Sequence, residues 1–307
     1  MADTGSDWHL LSWFGVRFEI PPDWTLAAAT GDRTRGSLRV EDEFTTRAEV
    51  AWQPIHRKRT LEQAVEEVRK RFRRNIRKRK EEAEIEDFTG LKLRRKGYHL
   101  FLCTIERDDR PVETINMVYR CEDCRRAIIA SVYYRPRERR QMHQTARRLF
   151  DSVRDHASGD NDVWSAYGVR LEVPSDYDLA GSSLRVGLVD LQFVRKDWQI
   201  DLLRAAMADV QIRRSGLAAW FAKTYAKRLR HYTTTTTRTE FRGHAALAVS
   251  GRTKMARTLM KPLRPRDRIY VRAWHCQNTD KLFIFRLSAP KEAEDLFDDL
   301  LKTVVCH

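Results

Sequence analysis

An internal repeat is the feature that most restricts how this chain can fold. Residues 14–26 align with residues 167–179 at an offset of 153 residues, and seven of the thirteen aligned positions are identical. Three further matches follow in the same order, at offsets between 146 and 155 residues. They pair residues 37–40 with 183–186, 119–121 with 274–276, and 149–151 with 296–298. Four collinear matches predict a tandem duplication of one domain.

Length and charge agree with two copies of one domain. A chain of 307 residues has room for two domains of ordinary size. We expect a first domain over residues 1–156, a polar linker at 157–162 and a second domain over residues 163–307. The net charge of +15 divides into +7 and +8 between the halves, so neither half is the basic one. No apolar run approaches the ~20 residues that a membrane-spanning helix needs.

Both halves show the same order of hydrophobic periodicities. Alternating apolar residues at 16–20 and 169–173 indicate a half-buried strand that ends at a proline. A helix is predicted after Thr60, because Gln63 completes a capping box and apolar residues then recur at helical spacing. Hairpin strands and a final helix follow. The pattern predicts an α+β fold of two similar domains, each an antiparallel sheet covered by helices.

The opening motif of each half resembles that of the Mog/PsbP-like superfamily. The matching residues are Phe18, Ile20, Pro21 and Trp24, and then Leu171, Val173, Pro174 and Tyr177, with Tyr in place of Trp. The resemblance implies two α/β/α sandwiches around antiparallel sheets. It also implies a bias towards protein binding, since members of that superfamily look like adaptors and share no catalytic residues.

The cysteines suggest a compartment and one metal hypothesis. An odd count of five, behind an acidic N-terminal segment without a signal peptide, predicts reduced thiols in the cytoplasm. Cys121 and Cys124 form a Cys-x-x-Cys turn that could present two thiolates to zinc. His275 and Cys276 in the second half are the candidate remaining ligands. The alternative is a hairpin with two thiols and no metal, so we expect no cofactor, with zinc as the exception.

Two basic segments are candidates for binding nucleic acid or another polyanion. The first covers residues 69–80, where nine of twelve residues are Lys or Arg, and its candidate contacts are Arg69, Arg73, Arg77 and Lys80. The second is the long hairpin connection 252–268, with candidate contacts Lys254, Arg257, Lys261, Arg264 and Arg266. Both segments could equally be solvated surface.

The functional prediction follows from the lack of a catalytic motif in the sequence. Phosphate-binding loops, dinucleotide fingerprints, nucleophile elbows and zinc-protease motifs are missing from it. We expect a non-enzymatic binding or scaffold protein, most simply a protein–protein adaptor with an unidentified protein partner. The alternative is a nucleic-acid or polyanion binder, and a zinc-dependent enzyme is a more distant one. The β-branched run at residues 233–237 predicts an exposed strand.

Overall fold

The computed structural model describes residues 8–56, 59–106, 111–121, 123–124, 126–156, 159–185, 187–254 and 266–307. It divides the chain into two compact units, Met1–Ala166 (unit 1) and Tyr167–His307 (unit 2). Strand β10 of unit 1 begins at Asn161, inside the stretch 157–162 that was expected to be a linker. The limits expected for the two domains stay a prediction.

Unit 1 contains ten strands and two α-helices among its described residues. The strands are β1 (His9–Trp13), β2 (Val16–Ile20), β3 (Thr25–Gly31), β4 (Gly36–Glu41), β5 (Thr46–Pro54), β6 (Glu82–Asp87), β7 (Tyr98–Glu106), β8 (Val112–Arg120), β9 (Arg126–Tyr134) and β10 (Asn161–Ala166). The helices are α1 (Leu61–Lys78) and α2 (Arg139–Ser152), the latter preceded by a 3-10 turn at Pro136–Glu138. Seven strands form one antiparallel sheet in the order β3-β4-β5-β9-β8-β7-β6, and β1 pairs with both β2 and β10.

Helix α1 begins and packs as the sequence predicts. The side chain of Thr60 accepts a hydrogen bond from the N–H of Gln63, and the Gln63 side chain accepts one from the N–H of Thr60, so the predicted capping box is confirmed. The apolar face of the helix lies on the β7–β8–β9 part of the sheet. The residues that meet there are Val65, Val68, Phe101, Val118 and Ile129.

Unit 2 contains eight strands and three α-helices in the part that the structure describes. The strands are β11 (Val169–Pro174), β12 (Asp178–Arg185), β13 (Leu188–Arg195), β14 (Trp198–Ala206), β15 (Tyr232–Phe241), β16 (His244–Thr253), β17 (Arg268–Cys276) and β18 (Lys281–Ala289). The helices are α3 (Ala208–Ile212), α4 (Gly216–Leu229) and α5 (Glu294–Thr303). The antiparallel sheet has the order β12-β13-β14-β18-β17-β16-β15, which repeats the strand order of the unit 1 sheet element by element.

In each unit a strand near the start, β2 in unit 1 and β11 in unit 2, is bonded to the segment that follows the last helix. In unit 1 the backbones of Arg17 and Arg154 exchange two hydrogen bonds, of 2.9 and 2.8 Å. In unit 2 Arg170 and Val305 form the same bridge. A side-chain hydroxyl supports the bridge in each unit. In unit 1 the Ser152 hydroxyl accepts a hydrogen bond from the Glu19 N–H, and in unit 2 the Thr303 hydroxyl accepts one from the Glu172 N–H. These contacts hold the segments after α2 and α5 against the strands β2 and β11.

The α+β expectation and the Mog/PsbP-like resemblance are both wrong. Of the described residues, 51% lie in strands and 24% in helices, so the chain is predominantly β, with large antiparallel sheets instead of helix-covered α/β/α sandwiches. The sequence reading missed strands that are polar or exposed. β3 and β6 carry no clean apolar alternation, and none of the residues of β12 is buried.

Among the described residues, none of the helices combines the length and apolar composition that crossing a bilayer requires. The cytoplasmic location expected from the cysteines stays a prediction.

Candidate functional site

The basic residues of α1 divide between the interior and the surface of unit 1. Arg69 forms an ion pair with Asp87 of β6, and its guanidinium lies over the Phe101 ring, 5.2 Å from the ring centroid. Arg73 lies 3.5 Å from Glu66. Lys80 follows the helix with a φ of 58°. Only part of the predicted set faces outwards, along a shallow depression of about 600 Å³ lined by Lys70, Arg73, Arg74, Arg77 and Lys78.

The basic hairpin connection is described only at its ends. Arg257, Lys261 and Arg264 lie outside the described residues. The backbone N–H of Lys254 donates to the carbonyl of His231 at 3.0 Å. The Arg266 guanidinium donates to Gln199, and the Arg266 carbonyl accepts from the Thr253 hydroxyl at 2.9 Å. The polyanion hypothesis for this connection therefore stays a prediction.

Cys121 and Cys124 lie in a polar group inside unit 1, with Asp155 and His156. The Cys121 Sγ is 3.4 Å from His156 Nε2, and the Cys124 thiol donates to Asp155 Oδ2 at 2.6 Å. Burial, followed by the hydrogen bond to Asp155, raises the pKa of the Cys124 thiol to about 12. The other oxygen of Asp155 accepts from Arg126, so this carboxylate already has a cationic partner.

Cys276 and His275 belong to different groups of side chains inside unit 2. Cys276 gathers with three residues that the sequence reading did not select: His244, Cys306 and His307. His275 lies instead near Asp209 and Asp280, with Nε2 3.8 Å from a carboxylate oxygen of each. Adjacent strand residues point to opposite faces of a sheet, which is why the structure separates this pair. The predicted set Cys121, Cys124, His275 and Cys276 is thus distributed over three groups, each within one unit.

A signal for the missed residues was present in the repeat. Asp155-His156 and Cys306-His307 each directly follow the residue that forms the bridge after the last helix. Both histidines lie at an offset of 151 residues, inside the range of the other matches. Extending the alignment to the residues after α2 and α5 would have found these four residues, but not His244 on β16.

Unit 1 has a groove of about 920 Å³ between α1 and the β3–β4–β5 side of its sheet. Its lining is mixed. It includes Trp52, Arg71, Phe72, Arg79 and Tyr133. Two of the polar side chains bond within the unit: Trp52 Nε1 donates to the Asp32 carbonyl at 2.8 Å, and Arg71 donates to Gln53 at 3.0 Å. The groove has the volume of a ligand site, but part of its polar lining is already satisfied.

The outer strand of the unit 2 sheet, β15, is the most unusual surface. It is ten residues long, and every residue of its interior is exposed, which confirms the exposed strand predicted at residues 233–237. All ten residues pair with β16 without a register shift, from Tyr232–Thr253 to Phe241–His244. A two-residue turn closes the hairpin. Its Arg242 and Gly243 have φ values of 51° and 76°, as a type I′ turn requires.

The backbone of β15 has one bonded side and one open side. Along an antiparallel pair of strands, the residue pairs alternate. One pair exchanges backbone hydrogen bonds, and the N–H and C=O groups of the next pair point away from the partner strand. The bond from Lys254 N–H to the His231 carbonyl fixes that alternation, so the odd-numbered residues of β15 bond to β16. The N–H and C=O groups that point away from β16 belong to the even-numbered residues, Tyr232, Thr234, Thr236, Arg238 and Glu240. Among the described residues, no strand pairs with this side of β15.

No protein-family model matches the sequence, and no curated protein matches it. Several solved structures resemble the chain over almost its full length. Apo TplEi, a T6SS immunity protein from Pseudomonas aeruginosa, has 8% sequence identity and a TM-score of 0.38, covering 99% of this chain and 98% of that one. TplEi complexed with an "L" peptide has 11% identity, a TM-score of 0.38 and 99% coverage of both chains. The Tle4–Tli4 complex gives 10% identity, a TM-score of 0.34 and coverage of 100% and 99%.

None of these neighbours is a Mog/PsbP-like domain. Scores and identities this low do not establish a common fold. The binding partners of those proteins are therefore not assigned to this chain.

Proposed function

We propose that this chain is a non-enzymatic protein-binding module that takes an extended segment of a partner protein as an added strand beside β15. The observation that carries the proposal is the open edge of β15, ten residues long and unbroken in register. An exposed edge of this kind presents a row of main-chain donors and acceptors that a second strand can satisfy. The partner is thus recognised first by its extended backbone.

In the two seven-stranded sheets, the outer strands other than β15 carry devices that oppose strand addition. β3 has a register shift between Leu26 and Ala28, and β12 has one between Leu179 and Gly181. Bulges of this kind twist an edge away from a new partner. β6, the unit 1 counterpart of β15, is only six residues long and four of them are acidic. β15 has a single acid, Glu240, and five consecutive threonines with high β-propensity.

Substituting one outward-facing residue tests the proposal. Thr236→Pro removes an N–H that β16 does not use and obstructs an added strand, while an edge strand tolerates a proline at such a position. Thr236→Ala is the matched control, because it keeps the N–H. Extended peptides selected by display on the intact protein serve as the probe. We expect Thr236→Pro to weaken their binding at least tenfold, about 1.4 kcal/mol, and Thr236→Ala to leave it within about twofold.

Hydrogen exchange on the peptide complex locates the contact. Protection should appear at the outward amides of Thr234, Thr236 and Arg238. Equal peptide binding by Thr236→Pro and Thr236→Ala would contradict the proposal, as would protection confined to the unit 1 groove. Analytical ultracentrifugation of the protein without peptide measures whether it forms a dimer. A dimer that Thr236→Pro dissociates would assign the edge to a second copy of this chain and refute a separate partner.

A second candidate function, polyanion binding, is favoured by the depression on α1. Five exposed cations line it, and one of them, Arg73, lies 3.5 Å from Glu66. We expect Arg73→Ala/Arg77→Ala to elute from heparin at clearly lower salt than the parent protein. The control is Arg137→Ala/Arg140→Ala, which removes the same charge near the start of α2. If both double variants elute at equally lowered salt, the effect comes from net charge alone and α1 carries no specific polyanion site.

A further inference from the structure

Four metal-ligating side chains converge in unit 2. They are His244, Cys276, Cys306 and His307, and their donor atoms all lie within 4.8 Å of one another. His307 Nδ1 is 3.4 Å from His244 Nε2, 3.4 Å from Cys276 Sγ and 3.4 Å from Cys306 Sγ. The first three residues are buried and His307 is exposed. Two thiols and two imidazoles are the donor set of a Cys₂His₂ zinc site.

The distances fit tetrahedral coordination. Zinc binds sulfur at about 2.3 Å and nitrogen at about 2.0–2.1 Å, so in a tetrahedron two nitrogens stand about 3.3 Å apart and a sulfur and a nitrogen about 3.6 Å apart. The three separations from His307 Nδ1 all lie close to these edge lengths. These three separations, with all four donor atoms within 4.8 Å of one another, are compatible with one metal ion between the side chains.

Two independent parts of the fold bring the four residues together. Continuing the β16–β17 register two residues beyond Ala246–Trp274 places His244 opposite Cys276, so both side chains face the same side of the sheet. Cys306 and His307 follow Val305, whose backbone is bonded to Arg170. The hairpin supplies one pair of donors and the segment after α5 supplies the other.

We propose that His244, Cys276, Cys306 and His307 bind a structural Zn²⁺ ion in unit 2. Four protein ligands close the coordination sphere and leave no position for a substrate, so the ion would fasten the segment after α5 to the β16–β17 hairpin. The equivalent group of unit 1 differs at two positions, and at one of them Cys124 completes the group in place of His244. At the other, Asp155 replaces Cys306, and the Arg126 guanidinium already neutralises that carboxylate. We expect one zinc ion per chain, bound in unit 2.

Metal analysis of the full chain, purified under reducing conditions from zinc-supplied cells, tests the assignment. The parent protein should contain about one equivalent of zinc. His307→Ala and Cys306→Ser should each lose at least nine-tenths of it. Cys121→Ser, which removes the equivalent thiol of unit 1, should keep it. His307 is exposed, so its replacement leaves the packed core intact and separates loss of metal from loss of fold.

Cobalt substitution provides a second readout that does not depend on zinc content. Tetrahedral Co²⁺ with two thiolates should give intense thiolate-to-metal absorption in the parent protein and in Cys121→Ser, and none in His307→Ala. Three results would overturn the proposal. They are a parent protein that neither contains zinc nor takes it up on reconstitution, full zinc retention by both unit 2 variants, and a disulfide between Cys276 and Cys306 in the native protein.

Discussion

Asp201 is a carboxylate with no solvent exposure in the middle of the unit 2 sheet. It lies on β14 directly opposite Arg286 of β18, and the two side chains form an ion pair. Gln199 also donates to Asp201 at 2.7 Å. Burial raises the pKa of the Asp201 carboxyl, and Arg286 opposes that shift. The charge is tolerated in the core because its partner is held in register on the next strand.

Removing the partner of Asp201 should be far more damaging than removing both charges. We expect Arg286→Met to lower the free energy of unfolding by about 3 kcal/mol, because the buried carboxylate then keeps only the more distant Arg228, 3.9 Å away, as a cationic neighbour. Adding Asp201→Leu should restore most of that loss. Denaturant unfolding of the two single variants and the double variant measures the coupling as a double-mutant cycle. A double variant no more stable than Arg286→Met would contradict this account.

Single residues also show where sequence reasoning stops. The spacing of Cys121 and Cys124 identified a group of thiols, but their partners Asp155 and His156 lie 31 and 35 residues further along the chain. Such partners are fixed by tertiary structure, which no local spacing encodes. The strand period could have corrected one prediction, since His275 and Cys276 are neighbours on β17 and cannot face the same ligand.

Between elements, Arg47 connects three segments of unit 1. It lies on β5, donates to Asp42 in the β4–β5 turn at 2.5 Å, and makes two hydrogen bonds to Glu138 at the start of α2. Burial alone would raise the pKa of Asp42, but the bonds from Arg47 and nearby N–H groups bring it below its ordinary value of 3.8. Arg47 likewise lowers the pKa of Glu138 below its ordinary value of 4.5.

Arg47→Met should destabilise unit 1 in a pH-dependent way. Both carboxyls have lowered pKa values in the folded state, so their contribution is complete above about pH 4.5 and disappears as the pH falls through those values. At pH 7 we expect the variant to lose about 2 kcal/mol of unfolding free energy. The difference from the parent protein should shrink towards pH 3. Thermal unfolding across that range checks it, and a difference independent of pH would contradict the ion-pair explanation.

Elements differ in how readily their sequence reveals them. Helix α1 could be predicted from Thr60 and Gln63, because a cap is a local signal. β15 could be predicted as an exposed strand from its threonines, but its place at the edge of a sheet could not. The residues of β6 are mostly acidic and do not predict a strand. One of its residues, Asp87, does pair with Arg69, yet the strand itself exists because β7 supplies its hydrogen bonds.

At the scale of the whole molecule, the repeat was the most informative signal in the sequence. It predicts that strands and helices recur in one order, and the two seven-stranded sheets do share their topology. It could not predict the fold class, because a repeat shows that two domains are similar but not which fold they share. The two units also differ in some of their exposed strands and side-chain groups. The copies differ at β6 and β15, and at Asp155 and Cys306, which are the positions on which the two proposals rest.

The bridges Arg17–Arg154 and Arg170–Val305 have a consequence for how such a chain can arise and be re-engineered. Within each unit they bring the segment after the last helix alongside β2 or β11, close to where the chain enters the unit. A gene segment that encodes a module with neighbouring entry and exit points can be copied in tandem without a long connecting loop. The same geometry favours relocating the chain ends of a unit: its present ends could be joined by a short peptide and new ends opened in a surface turn.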